Sequence, residues 1–279
     1  MTDNINHLRR SSKLPQLPSL ERLENYYEKV RSLIFERRSL KFTGATPFIS
    51  FSFDDFPRSA YLVGGAILKK YDIRGSYYAS FGLMGSESLV GEIYSLTDLQ
   101  ELVNDGHELG CHTYDHTDSW KGKPDVFEES IIKNQQALKA IFPETPFKTM
   151  SYPKRHPHPR IKQIAGRYFK CCRGGGQNFN AITLDLNNLK SYFIDRKNRD
   201  DPAELKALID TSTKANGWLI ISTHDICNNP SPFGCEPKFF EEIVIHAVHS
   251  GATILSVYEV YLSIYNHGFQ NSSGVYEGK

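Results

Sequence analysis

Charge imbalance is the first thing this sequence lacks. Its 33 Lys and Arg stand against 32 Asp and Glu, a net charge of +1 over 279 residues, so no polyanionic partner is implied and no nucleic-acid role is expected. Paired cysteines are missing as well. Cys111, Cys171, Cys172, Cys227 and Cys235 are odd in number and irregular in spacing, with no CxxC pair. That excludes neither metal nor redox chemistry, but it suggests no zinc knuckle and no disulfide framework, and it fits reduced thiols. No apolar run approaches the roughly 20 residues of a membrane span. The first twenty residues, MTDNINHLRRSSKLPQLPSL, hold no apolar core of a secretory leader. A cytoplasmic chain with no integral membrane segment is therefore the expectation. Internal repeats are also absent.

What is present is an alternation of β-prone and helix-prone stretches. Phe48-Ile-Ser-Phe-Ser-Phe53 reads as a buried strand, and Pro57 ends its pairing. Further strands are expected over 76–81, 107–111, 147–152, 168–172, 189–194, 218–223 and 252–257. Helices are expected over 58–71, 95–103, 125–142, 156–166, 202–215 and 237–249, the first weakened by Gly64-Gly65. Such alternation predicts an α/β fold with parallel strands covered by helices, and closure into a barrel suits this length. In barrels of that kind chemistry collects at the carboxyl ends of the strands.

The ends of the chain differ from its middle. Residues 1–18 are polar and read as a loose arm. From Ser19 to about Leu40, Leu20, Leu23, Tyr27, Val30 and Ile34 fall on one helical stripe. Residues 1–43 carry nine Lys and Arg against five Asp and Glu, so a membrane-surface helix is one reading; a lid on the barrel or a contact between subunits is the favoured one. The division is 1–43 as arm and helix, 44–265 as barrel and 266–279 as polar tail.

Three clusters of ionisable residues end strands. Asp54 and Asp55 close the first; in extended chain their side chains point to opposite sides, so one can face a cation and the other whatever the cation activates. In His107-Glu-Leu-Gly-Cys-His-Thr-Tyr-Asp-His116, His112 and His116 are four apart and can share one side of a tight loop. Two imidazoles and a carboxylate with positions left for water describe a catalytic divalent site. Trp218-Leu-Ile-Ile-Ser-Thr-His224 delivers a third ionisable group to the same rim.

Phe53-Asp54-Asp55, the Gly106–His116 run and Ile221-Ser-Thr-His224 together resemble the polysaccharide deacetylases of carbohydrate esterase family four, over about residues 47–257. The resemblance implies a distorted (β/α)7 barrel of parallel strands, here with an extra N-terminal helix. It also implies removal of N- or O-acetyl groups from a sugar with a divalent metal, usually zinc. Carried over by position, Asp55, His112 and His116 become metal ligands, Asp54 the general base and His224 the general acid. Asp195, ending a strand, is the candidate for orienting His224, with Asp225 as its competitor.

Two departures from the family pattern stand out. Where the family has Arg-x-Pro-Tyr, this chain has Ser151-Tyr152-Pro153-Lys154. The cation that steadies Asp54 must then come from elsewhere, and Arg155, Arg173 and Arg196 are candidates. Lys154 still offers a backbone N–H; Tyr152, Lys154 and Arg173 are the expected substrate contacts. Phe56 replaces the glycine that usually follows the Asp pair, so a bulkier loop beside the metal is expected. The expected partner is an acetylated sugar or sugar-containing precursor, with an intracellular surface-polysaccharide precursor favoured, and homo-oligomer formation is left open. Two rivals are a metal-dependent hydrolase of non-sugar amides and a catalytically impaired sugar-binding homologue.

Overall fold

The computed structural model describes residues 20–42, 44–154 and 156–273. The expected arm at 1–18, Arg155 and the last six residues lie outside them.

The chain begins with α1 (Leu20–Ile34) and β1 (Ser39–Phe42), then enters β2 (Phe48–Phe53). There follow β3 (Ser76–Ala79), the short hairpin β4 (Glu87–Ser88) and β5 (Gly91–Glu92), α2 (Leu96–Asn104) and β6 (Glu108–Cys111). Next come α3 (Pro124–Ile141), β7 (Thr149–Ser151), α4 (Pro159–Tyr168), β8 (Cys171–Arg173), β9 (Ile182–Asp185) and β10 (Tyr192–Phe193). The chain finishes with α5 (Ala203–Lys214), β11 (Trp218–Thr223), α6 (Pro237–His249), β12 (Thr253–Ile254) and α7 (Val257–Ser273).

Seven strands lie side by side in the order β10-β11-β2-β3-β6-β7-β8, every pair parallel. β12 fills the lower part of β2's edge beneath β3, pairing Thr253 with Phe48. The two ends of the sheet meet at a single parallel bridge, where Gly174 N donates to Leu189 O at 2.8 Å and Leu189 N to Cys172 O at 2.8 Å. One bridge in place of a ladder makes this a distorted barrel, as the motifs imply.

β2 is buried along its whole length, with Phe51 and Phe53 packed on Phe240 of α6. The apolar-Ser alternation thus puts no face in water. Its serines go inward, Ser52 Oγ donating to Ile221 O and Ser50 Oγ accepting from Trp218 Nε1 at 3.0 Å. A fully covered strand is what parallel sheets under helices require.

The helix expected over 58–71 is a π-helical turn, Ala60–Gly65, that runs into one α turn, Ala66–Lys69. A Cβ on Gly64 would sit 2.7 Å from Ile226 Cδ1 and 3.3 Å from Phe53, so the glycine permits an approach that an ordinary helix would forbid. The antiparallel pair β1–β9, the β4–β5 hairpin and the final helix were not foreseen. That helix continues past residue 265 to Ser273.

α1 docks by its polar side. Ser32 and Glu28 are buried, while Leu20, Leu23, Tyr27 and Ile34 of the expected stripe are exposed. The fully buried Lys162 of α4 donates to Ser32 O (2.6 Å), Phe35 O (2.8 Å) and Asp185 Oδ2 (2.8 Å), placing a cation at the helix's carboxyl end. Among the described residues no helix is long and apolar enough to cross a membrane.

His107, first residue of the histidine-rich run, is a structural group. Its Nδ1 accepts from Gly75 N at 2.9 Å and its ring packs edge-on against Tyr77. Burial pushes its pKa from 6.5 down to about 4. The neutral form is the one that fits, so its contribution is complete above the unfolded value near 6.5 and is lost as pH falls toward 4. Between pH 7.5 and 4.5, His107→Asn, which keeps an acceptor in place of Nδ1, should flatten part of the fall in melting temperature seen for the unaltered protein. Parallel curves would show that His107 contributes nothing to the acid limb.

Candidate metal centre

Three strands of the sheet deliver the site. β2 ends in Asp54 and Asp55, β6 runs into His112 and the loop to His116, and β11 runs into His224. Asp54 N donates to Thr223 O (3.0 Å) and His112 N to Ala79 O (3.0 Å), so the strand ladders reach the functional residues themselves. After that the backbone leaves extended geometry. Asp55 (φ 60), Phe56 (φ 51), Thr113 (φ 61), His116 (φ 51) and Lys154 (φ 64) all lie in the left-handed region, a concentration of strain typical of functional turns.

One ligand atom from each of Asp55, His112 and His116 lies within 4.8 Å of the other two. Asp55 Oδ1 is 3.4 Å from His112 Nε2 and 3.2 Å from His116 Nε2. That oxygen is buried and has no hydrogen-bond partner among the described residues, an expensive arrangement unless a cation completes it. His112 is oriented by Nδ1 donating to the Ser151 carbonyl at 2.8 Å, which leaves Nε2 with its lone pair toward Asp55. Burial lowers the pKa of both imidazoles, that of His116 to about 4 with further help from neighbouring His112. Neutral imidazoles beside an unsatisfied carboxylate oxygen fit a divalent cation.

Asp54 is buried, and burial by itself would raise its pKa. The Arg173 guanidinium outweighs that, aided by His112 and His224, and the carboxyl is held well below the usual range. Arg173 Nη2 contacts both Asp54 Oδ1 and Ser151 Oγ. Arg173 reaches both groups from β8. Of the other candidate cations, Arg196 is exposed.

The remaining sequence candidates are placed as follows. Arg173 and Tyr152, expected at substrate, are both buried, Tyr152 donating to Asn187 O at 2.9 Å. Lys154 is exposed at the rim. Phe56 turns away from the cluster into the core, stacked on Tyr94 with centroids 4.6 Å apart, so the expected bulk beside the metal is absent. Asp195 accepts from Lys197 N at 2.8 Å, and Asp225 from Ser231 N (2.7 Å) and Ser231 Oγ (2.5 Å). Neither reaches His224, whose Nδ1 is buried without a partner among the described residues. The ring lies between Phe193 and Phe233 and presents Nε2 3.5 Å from Asp55 Oδ2. The Ser151 carbonyl, which orients His112, had no signal in the sequence.

Fold and cluster define a parallel α/β barrel with a carboxylate-imidazole cluster at its mouth. Residues 43–168 match the family model for polysaccharide deacetylases. The Xyl-CE4 domain of a multidomain xylanase from the hindgut metagenome of Trinervitermes trinervoides superposes with a TM-score of 0.55 at 15% identity, over 78% of this chain and 91% of that one. The chitin deacetylase of the fungal pathogen Colletotrichum lindemuthianum gives 0.53 at 16% identity, over 79% and 89%. A CE4 family pseudoenzyme from Bacillus anthracis gives 0.53 at 11%, over 78% and 66%. At these identities the structural likeness is one of fold. No curated protein matches the sequence. The motif resemblance and the family model thus agree over residues 43–168.

The Asp54–Arg173 pair gives the site a test of its own. Arg173→Met strands a buried carboxylate and should cost about 3–5 kcal/mol in denaturant unfolding. Adding Asp54→Asn to that variant should recover part of the loss. Additivity of the two changes to within about 0.5 kcal/mol would mean that they do not interact.

Proposed function

We propose that this protein is a metal-dependent hydrolase that removes an acetyl group, N-linked in preference to O-linked, from a sugar. The observation that carries the reading is the unsatisfied Asp55 Oδ1 facing two neutral imidazoles, with Asp54 and His224 on either side. Asp55, His112 and His116 would hold the cation. When bound, it would supply Lewis-acid polarisation of the acyl oxygen and lower the pKa of water toward neutrality.

The protein's own groups would handle the protons. Asp54 is kept ionised by Arg173, so it can accept a proton from the attacking water even though it is buried. His224 presents Nε2 to the mouth and would give its proton to the departing nitrogen, which cannot leave as an anion. The C–N bond breaks as water oxygen joins the acyl carbon, and the products are acetate and an amine. Phe193 and Phe233 shield the His224 ring and keep bulk water from its flanks. The backbone N–H of Lys154, at a left-handed turn beside the site, is the candidate donor to the developing oxyanion.

The sugar-binding rival without turnover drew its support from the missing motif arginine. Arg173 in contact with Asp54 removes most of that support, and the orphaned Nδ1 of His224 is what remains. A non-sugar amide is separated by substrate choice.

Metal-loaded protein should release acetate from an acetylated-sugar panel in preference to cyclic amides, and chelation should abolish the release. Elemental analysis should find one divalent cation per chain, lost in His116→Ala. Asp54→Asn and His224→Ala should each cost on the order of 10²–10⁴ in rate while retaining the ion. Full turnover by either variant, or a protein that binds no ion, would defeat the reading.

A further inference from the structure

The apolar residues of α1 lie on the side of the helix that faces away from the barrel. At 3.6 residues per turn, Leu20, Leu23, Tyr26, Tyr27, Leu33 and Ile34 span an arc of about 140°, and all six are exposed. The buried Glu28 and Ser32 are on the opposite side. Leu20 is 80% and Ile34 60% exposed, so the arc is uncovered among the described residues. Phe35, just past the helix, is half exposed as well.

The charge around the arc is basic. Arg22 and Lys29 border it along one edge and Arg31 along the other, with Glu21, Glu24 and Glu28 farther round the helix. Arg31 lies over the rings of Tyr27 and Phe35, 5.4 and 5.7 Å from their centroids, which keeps its charge at the margin of the apolar surface. Residues 1–43 carry nine Lys and Arg against five Asp and Glu while the whole chain nets +1, so the remaining residues are net acidic. Leucines and tyrosines with basic margins, on the basic segment of the chain, complement an anionic bilayer surface. A helix of that make-up lies in the plane of the interface with its apolar side among the acyl chains. Two copies meeting on this face would instead bring two net-basic segments together.

The arc is also continuous with the mouth of the barrel. Tyr27 packs edge-on against half-buried Trp120, with centroids 6.3 Å apart. Trp120 belongs to the loop that leaves β6 and carries His112 and His116. We infer that α1 is a peripheral membrane anchor, which seats the protein on anionic lipid and holds the Trp120 side of the rim at the headgroups. Such seating is independent of what the site hydrolyses.

The test is co-sedimentation of the full chain with vesicles of phosphatidylcholine alone and of phosphatidylcholine containing about 30% phosphatidylglycerol. The protein should pellet with the mixed vesicles, stay in solution with the neutral ones and be released by about 0.5 M salt. Leu23→Glu and Ile34→Glu, both at exposed positions, should each weaken binding about tenfold or more at an unchanged melting temperature. Of the two tryptophans, Trp218 is buried in the core, so brominated lipid should quench Trp120 alone. None of these readouts needs acetate release, so a protein without turnover defeats the deacetylase reading and leaves this test standing. A full chain that stays in solution with the mixed vesicles overturns the assignment. If it is then a dimer that Leu23→Glu splits, a second copy covers the face; if a monomer, residues 1–18 cover it or nothing does. Equal pelleting with both kinds of vesicle, variants that pellet as well as the unaltered protein, or an unquenched Trp120 would also reject it.

Discussion

A carboxylate enclosed at the centre of a barrel is the constraint on which the site depends. Burial favours its protonated, chemically idle form, and only a cation at contact distance reverses that. Asp54 comes from β2 and Arg173 from β8, with β3, β6 and β7 between them in the sheet. On a flat sheet the two would be separated by the width of four strand spacings, each about 4.8 Å. They meet because the sheet curls and its ends join at Leu189. Barrel closure and the ionisation of Asp54 are therefore one fact viewed at two scales. A change that opened the Arg173–Leu189 seam would withdraw the cation from the carboxylate.

The rim accepts backbone strain for the same end. Left-handed residues follow β2, β6 and β7, and two of them are held by contacts of their own. Phe56 is fixed by its stack on Tyr94, and Tyr94 N donates to Phe56 O at 3.1 Å. Thr113 Oγ1 accepts from Thr117 N at 2.9 Å, closing the turn that carries His116. A phenylalanine where glycine is usual is tolerable because the ring is wholly buried, and burial of a large aromatic offsets a strained φ. Phe56 thus packs into the core beneath the site and away from Asp55, His112 and His116.

Much of this could be read from residue order. Strand-ending carboxylates and histidines, with a spacing of four between two imidazoles, pointed to one rim and one ion, and the structure brings those atoms together. The 48–53 and 218–223 strands were evident because a fully covered parallel strand must be apolar. What escaped had physical reasons. Arg173 could be named only as one of three candidate cations for Asp54, because it follows Cys171-Cys172 in a run that looks like any strand end and its partner lies 119 residues away. Asp195 and Asp225 looked able to orient His224, but each is satisfied by nearby amides and hydroxyls, a local competition that spacing does not reveal. α1 misled in the other direction. Its apolar stripe was legible, yet a buried lysine pairing with carbonyls at the helix end set which side faces the barrel.

The barrel holds a second enclosed acid, and the contrast shows why the two have different uses. Glu108, at the foot of β6, accepts from Ser76 Oγ (2.7 Å), from Thr149 Oγ1 and from Tyr258 N (2.9 Å) at the start of α7. Among the described residues its hydrogen-bond donors are hydroxyls and an amide, and burial, with Glu259 nearby, raises its pKa. Val257 N also donates to Ser76 Oγ at 2.9 Å, so this acid anchors the last helix to the floor. Asp54 shares the enclosure but has Arg173, and its pKa moves the opposite way. The sheet thus holds an ionised carboxylate at one end and a structural tie at the other, and what separates them is the placement of one guanidinium.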